Sequence, residues 1–590
     1  MRSDQPRWLT LGGVALLIVA VAIVITTPSA NRYEISLYRA YPIYFWVLLM
    51  GAMLAGALTI VASARVDSGR SWVYGLSLML LTNALLLLLP YIRGYEMFGR
   101  SDPMSHLGFM IDINNSGGIE GNIYPPVHLL AIAVSDATGV EPMTVAMLLP
   151  VVFSGIYFGA MGYLLYAVFE TRTQVLFGLP FVLLPVLRQG HVGFRPFDVA
   201  IMLVPLVLYL FFKGQPKPNP PVRATFVLVL VAVLLYHPLT AIFLIIVFAL
   251  YSASKYAPLI KRKYASPTNL VSLSAAVFIV WYSEFTGIIL RFDRVRESLF
   301  GAGGGVTRAD TYARTIEEAS PPLIDLARVF TFKYGLEFVL FGLGFAFLGL
   351  AVVLILQRKA VLDTYSVMII GTVIGFSVFG LAFLLRDLIV PPQRPFQIAK
   401  IGAVVLMGQL FYVLWNHVDW SSERPGVGVS FQTMLTTTLV VLIVLSTFSV
   451  YPSPLESESN SQVTEMEVHG NEWLTNHGTA SQEVSAFKIS HHRFNHAQSG
   501  TSTPQPFAFS TPPPRFNYTV HDSLGRNYQN DRYLTITRVG RIVYPEAFPN
   551  YRPRWRFTPE DFERLEKDST TNRIYDNGDY TQYLVDGTAQ

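Results

Sequence analysis

Long apolar runs separated by short polar turns fill the first 450 positions of the chain, and a mixed pattern follows. A bilayer core of about 30 Å needs about 20 apolar residues as helix. By that measure the runs at 8–27, 41–64, 72–90, 143–168, 174–187, 197–213, 224–236, 238–253, 269–290, 334–356, 362–385, 400–416 and 429–450 predict about 13 membrane spans. The run at 8–27 is longer than a signal-peptide core, and Pro28 spoils a cleavage site, so it reads as an uncleaved anchor. The short run at 125–136 opens with Pro125-Pro126 and predicts a juxtamembrane helix.

The turns set an orientation. Segments 213–223 and 254–268 carry Lys213, Lys217, Arg223, Lys255, Lys261, Arg262 and Lys263 without an acid, which places them on the cytoplasmic side. The N-terminus is then cytoplasmic, and segments 91–142, 291–333 and everything after 451 are extracytoplasmic in a multi-pass cell-membrane protein. Three parts result: two N-terminal spans (1–71), a membrane core (72–450), and an outer linker with a small α+β domain (451–590). Within 291–333, GAGGGV at 301–306 predicts a mobile segment and 315–330 an amphipathic interfacial helix.

In the tail, two polar stretches, PSPLESESNSQVTE and NHAQSGTSTPQPFAFSTPPP, read as linkers. Residues 532–544 alternate like a strand, Thr558-Pro559-Glu560-Asp561 opens a helix, and 574–585 forms a hairpin around Asn577-Gly578. His491, His492 and His496 have no acid beside them and read as surface residues. Asn114-Asn115-Ser116 and Asn517-Tyr518-Thr519 match the short glycosylation sequon. No internal repeat is visible.

Composition sharpens the class. With 52% hydrophobic and 14% charged residues and a mean hydropathy of +0.40, the chain is neither a soluble protein nor a disordered one. The absence of cysteine excludes disulfides, thiolate metal sites and Cys nucleophiles. A net charge of +4, dispersed along the chain, gives no nucleic-acid footprint.

Candidate chemistry gathers on the outer side. The first outer loop holds Arg93, Glu96, Arg100, Asp102, His106, Asp112, Glu120 and His128. If Pro103 starts a helix, Asp102 caps it and His106 lies in its first turn, so both can face one pocket. Asp102 is either a cap alone or also a base or metal ligand. A cationic set lies in other outer turns: Arg188, His191 and Arg195, then His237, then Arg291, Arg294 and Arg296, then Arg386 and Arg394 with Lys400. Arginine matches phosphate oxygens with a two-pronged donor, so this set suits a lipid phosphate; headgroup contact is the alternative for any single member. Glu284, near the outer end of its span, either pairs with an arginine or lines a substrate cavity.

An acid after an outward-ending span (GRSDPMSHLG), a Pro-Pro juxtamembrane helix (YPPVHLLAIAV) and a GV turn into a long span (GVEPMTVAMLLPVV) follow one another. In this order the chain, over roughly 72–250, resembles the GT-C class of polytopic glycosyltransferases, which includes protein O-mannosyltransferases, aminoarabinose transferases and oligosaccharyltransferases. In style the sequence resembles archaeal, in particular haloarchaeal, membrane proteins. The resemblance implies transfer of a sugar, with inversion, from a polyprenyl (dolichyl-type) phosphate to an extracytoplasmic protein or glycolipid acceptor. It implies Asp102 as acceptor base or ligand of a divalent cation (Mg or Mn), with His106 in support. The position after Asp102 is Pro103, where many members carry a second acid. Arg386 and Arg394, with Arg188, Arg195, Arg291, His237 and Glu284, are the candidate donor-binding residues. A flippase for lipid-linked oligosaccharides and a non-catalytic scaffold of the surface-glycosylation pathway are the alternatives.

Overall fold

A computed structural model describes residues 5–65, 69–214, 219–254, 256, 260–262, 269–300, 308–357, 362–385, 391–417 and 431–587. The chain is mainly α, a bundle of apolar helices with a small sheet-containing module at its C-terminal end. Eight described helices have the length and composition to cross a membrane: Gln5–Thr26, Ile43–Ala64, Ser71–Ile92, Pro142–Val168, Pro196–Lys213, Leu323–Leu356, Tyr365–Leu385 and Gln393–Asn416. Pro220–Tyr236, Pro238–Ser254, Leu270–Tyr282 and Phe431–Thr447 are apolar but shorter. The run at 174–187 is helical only over Arg172–Val182. Pro185 disfavours the α conformation at Leu184, and the chain turns there.

The stretch 315–330 is two helices, not one amphipathic helix. Arg308–Ala319 ends at Ser320, whose φ is 45°, and Pro321-Pro322 then start Leu323–Leu356. The latter has 34 residues, about 51 Å at 1.5 Å each, so it begins well before the apolar run at 334–356. Pro125–Thr138 is the short Pro-Pro helix expected at 125–136.

In the module a five-stranded sheet runs Phe509–Ser510, Glu483–Phe487, Arg532–Thr537, Tyr580–Val585, Thr571–Asp576. The first two pairings are parallel and the last two antiparallel, the final one being the hairpin around Asn577-Gly578. Thr558 and Asp561 form the capping box of Pro559–Leu565. The alternation over 532–544 covers a strand and a helix. Thr537 accepts from the Gly540 N–H (3.3 Å) and starts Arg538–Ala547, where Val539, Val543 and Ala547 turn one face inward.

Neither polar stretch is a linker. In the first, Ser453, Glu456, Asn460 and Gln462 are buried, and Gln462–Val463 pairs with Met97–Phe98. The second begins inside the helix His491–Ser499, which packs on Asp102–Ser116, and its Phe507 is buried. His491 is no surface residue: it bonds Asn471 (2.7 Å) and Thr535 (2.8 Å) in the module interior.

The two helices meet at Gly108, where a Cβ would lie 2.5 Å from the His496 carbonyl oxygen. Neighbouring Asp112 accepts from the Thr501 (2.8 Å) and Ser502 (3.2 Å) amides, clipping the following turn. Gly108→Ala is expected to cost about 1–3 kcal/mol of docking through overpacking. Hydrogen exchange should show it as a loss of about one to two decades of protection, confined to 491–503. Unchanged protection there would mean that another contact fixes the module.

Candidate active site

Several chain segments end at one face of the bundle and enclose a cavity with an empty volume of about 1010 Å³. Asp102 and Arg394 enter it from the first turns of Asp102–Ser116 and Gln393–His417, and Arg195 from the start of Pro196–Lys213. Arg188 comes from a tight turn, and Glu456 and Glu458 from the polar stretch after the last bundle helix. Sequence reasoning proposes Asp102, Arg188 and Arg195 of one turn, and Arg394 from three segments, and all four line this cavity.

His191 builds the Arg188 turn. Its Nε2 accepts from the Leu187 amide (3.2 Å) and its Nδ1 bonds the Ser154 hydroxyl (2.9 Å). Arg188 itself is left-handed (φ 58°), a conformation that costs a non-glycine residue about 1–2 kcal/mol. The guanidinium this directs inward donates to Glu456 (2.7 Å) and stands 3.6 Å from Glu337. Glu337 also holds Lys400 (3.2 Å), and Lys333 holds Glu458 (3.0 Å). Burial favours a neutral Arg188, but Glu337 and Glu456 more than offset it and hold the guanidinium cationic.

The remaining arginines differ in what they are bound to. Arg195 is bridged to Asp198. Arg394 lies with its guanidinium carbon 4.9 Å from the centre of the Phe197 ring, and among the described residues it forms no ion pair. His237 is one ring away, edge-on to Phe197 (5.2 Å) and stacked on Tyr124 (5.2 Å), but it does not line the cavity.

Asp102 begins its helix after the Ser101 cap, and its carboxylate is half exposed. Arg493 of the module binds it at 2.8 Å and also donates to Ser105 (3.1 Å). His106 lies elsewhere: it is buried, and its Nδ1 bonds His128 Nε2 (3.1 Å), whose Nδ1 meets Asn122 (2.8 Å). Burial first, then the charges of Arg493 and Arg195, push the His106 imidazole down to about 3, so it is neutral at pH 7. Its position packs two short helices together and does not bring it to Asp102.

Glu284 is exposed in the turn between Leu270–Tyr282 and Thr286–Phe300, outside the cavity lining. Arg291 lies in Thr286–Phe300, with its side chain outside the described residues, and Arg386 lies outside them entirely. The residues around Asp102 do not fit a divalent cation. Its carboxylate faces Arg493, and among the described residues no three His, Asp or Glu side chains converge.

Sequence reasoning misses Glu337, Lys333, Glu456, Glu458 and Arg493. Glu456 and Glu458 sit in an apparent linker, and their signal is a pair of acids directly after an apolar run, on the side to which the loop charges also assign the cations. Burial, more than Arg188 offsets, pushes the Glu456 carboxyl up to about 7. A raised carboxyl contributes stability that is full below its unfolded value and is lost as pH rises through about 7. Glu456→Gln should therefore gain on the wild type by about 3 kcal/mol between pH 4.5 and 8, read from thermal unfolding of the two proteins. A constant difference across that range would place the ionisation elsewhere.

No protein-family model matches the sequence, and no curated protein matches it. Among solved structures, the Archaeoglobus fulgidus oligosaccharyltransferase, tethered to an acceptor peptide containing the NVT sequon, is similar at 10% identity and a TM-score of 0.47, covering 81% of this chain and 71% of that one. ArnT from Cupriavidus metallidurans is similar at 10% identity and a TM-score of 0.44, covering 86% of this chain and 98% of that one in the apo state. Bound to undecaprenyl phosphate, it covers 88% and 98% at the same identity and score.

Proposed function

We propose that the chain is a GT-C-type membrane glycosyltransferase that moves a sugar from a polyprenyl-phosphate-linked donor to an extracytoplasmic acceptor. The observation that carries this reading is one cavity holding both a half-exposed carboxylate, Asp102, and an arginine with no ion pair among the described residues, Arg394. The reaction needs a group that removes a proton from the acceptor and a cation that receives a departing phosphate.

Lys213 ends the Pro196–Lys213 helix away from the cavity and Arg223 follows in Pro220–Tyr236, so the positive-inside tendency supports an extracytoplasmic cavity.

In the step we assign, an acceptor oxygen or nitrogen attacks the anomeric carbon and the carbon–oxygen bond to the lipid phosphate breaks. The acceptor's proton passes to the Asp102 carboxylate. The bonding electrons leave on the phosphate oxygen, whose charge Arg394 receives with a planar pair of donors. Arg195, relaxed from Asp198, is the second donor. Arg188 and Lys400, held by Glu337 and Glu456, form a rigid ion-paired wall behind them.

The test is transfer by the purified chain in proteoliposomes given a radiolabelled polyprenyl-phosphate sugar and an extract of extracytoplasmic acceptors. Label in a new protein or glycolipid product supports the reading and names the acceptor class. Intact donor moved across the bilayer without a product would replace it with a flippase.

A further inference from the structure

A second cleft, with an empty volume of about 710 Å³, lies between the module and the paired helices Arg308–Ala319 and Leu323–Leu356. It shares Lys333 and Glu456 with the Asp102–Arg394 cavity, so the two spaces have a common wall. The module side of the cleft presents aromatic rings, Tyr544, Tyr551 and Trp555 among them. Trp555 is fixed in place: its indole N–H donates to the Phe548 carbonyl (2.8 Å) and its ring stacks on Tyr544 (6.1 Å, 21°). The Ser457 hydroxyl oxygen in the lining is buried and has no hydrogen-bond partner among the described residues. At the mouth Arg554 is paired with Glu318, joining module and helix across the opening.

Fixed aromatic faces beside an unsatisfied hydroxyl suit one kind of small molecule. A pyranose ring has flat patches of C–H bonds that pack on an aromatic face, and a rim of hydroxyls that need donors and acceptors. A purely apolar ligand would leave the Ser457 hydroxyl without a partner, which disfavours it.

We propose that this cleft is a glycan subsite: it holds a sugar unit one or more residues away from the reacting one, stacked on Trp555 and Tyr551 and hydrogen-bonded at the Ser457 side. The inference deepens the glycosyltransferase reading and rests on it. It makes a glycan, carried by the acceptor or by the lipid-linked donor, a substrate of this chain, and it gives the module a direct part in selecting it.

Saturation-transfer NMR on the detergent-solubilised full chain tests this with mannotriose, maltotriose and chitotriose as probes, and an uncharged tripeptide as competitor. At least one trisaccharide should bind, and Trp555→Ala should weaken it about tenfold, whereas Trp555→Phe keeps most of the affinity. Arg394→Ala should lose polyprenyl phosphate and keep the trisaccharide, which separates this subsite from the donor-phosphate assignment. If polyprenyl-phosphate chitobiose binds more tightly than polyprenyl phosphate in the wild type but not in Trp555→Ala, the glycan belongs to the donor. If the trisaccharide binds equally with and without that donor present, it belongs to the acceptor. The proposal is overturned if no trisaccharide binds a chain that still binds polyprenyl phosphate. It is equally overturned if the tripeptide displaces the sugar, or if Trp555→Ala binds as the wild type does.

Discussion

Replacing Arg394 by Ala is expected to lower sugar transfer by about 10²–10³-fold while leaving thermal unfolding almost unchanged. The two halves of that expectation come from different observations. Transfer falls because Arg394 is the cation of the cavity that forms no ion pair among the described residues and so has its donors available for a phosphate. Stability holds because the change breaks no salt bridge among the described residues and removes only the stack on Phe197, worth about 0.5–1 kcal/mol. Arg188→Ala is the instructive contrast. It leaves buried Glu456 without its cation and Glu337 with Lys400 alone, and should unfold the chain before its chemistry can be read. Arg394→Lys keeps the charge and loses the fork, and should fall between wild type and Ala. The measurement is initial transfer rate in proteoliposomes beside an unfolding curve for each variant. Wild-type transfer by Arg394→Ala would remove Arg394 from the donor site.

Arg394 is legible in the sequence because the loop charges assign its turn to the outer side, where a basic residue runs against the usual cytoplasmic preference. Arg188 and Arg195 stand out for the same reason, and all three line one cavity although Arg394 is far from the other two in sequence. Side preference alone does not rank them. Rank depends on partners, and the partners are acids that local pattern assigns elsewhere. PSPLESESNSQVTE has the composition of a flexible linker, yet Glu456 is buried because it neutralises Arg188, and Glu458 serves Lys333 in the same way. A stretch of polar residues signals solvent only when no buried charge is waiting for it. His106 shows the converse error. Helical spacing from Asp102 suggests a shared pocket, but His106 is turned toward His128, and spacing alone does not say which side of a first turn faces the cavity.

The bundle is easier to read than the module. Apolar runs report burial in lipid or protein regardless of tertiary detail, so their helices appear near the expected positions. The module depends on long-range partners. Its strand Glu483–Phe487 lies between two parallel neighbours distant in sequence, and its stretch after 490 is ordered by contact with Asp102–Ser116. Local pattern carries neither fact. The 532–544 segment is ambiguous for another reason: Val539, Val543 and Ala547 recur every four residues, a helix signal that begins in the middle of an alternating one.

The module's contact with Asp102 bears on the second large effect. Asp102→Asn preserves the shape of the side chain and keeps an oxygen for Arg493 to bind, while removing the negative charge and with it the capacity to take a proton. Transfer is expected to fall by about 10²–10⁴-fold, the usual contribution of a positioned base. If Asp102 served only the start of its helix, the change would cost about 0.3–1 kcal/mol of stability and leave transfer intact. The rate and the unfolding curve of one variant therefore separate the two roles. Arg493→Ala extends the argument. It leaves the carboxylate in place but takes away the group that holds it, and Arg493 comes from the module helix that docks at Gly108. A loss of rate in Arg493→Ala that is absent from the double variant Asp102→Asn/Arg493→Ala, measured against Asp102→Asn alone, would show that the module acts on transfer through the position of Asp102. Equal losses in both backgrounds would give Arg493 a separate role, and the base would then be oriented by its own helix.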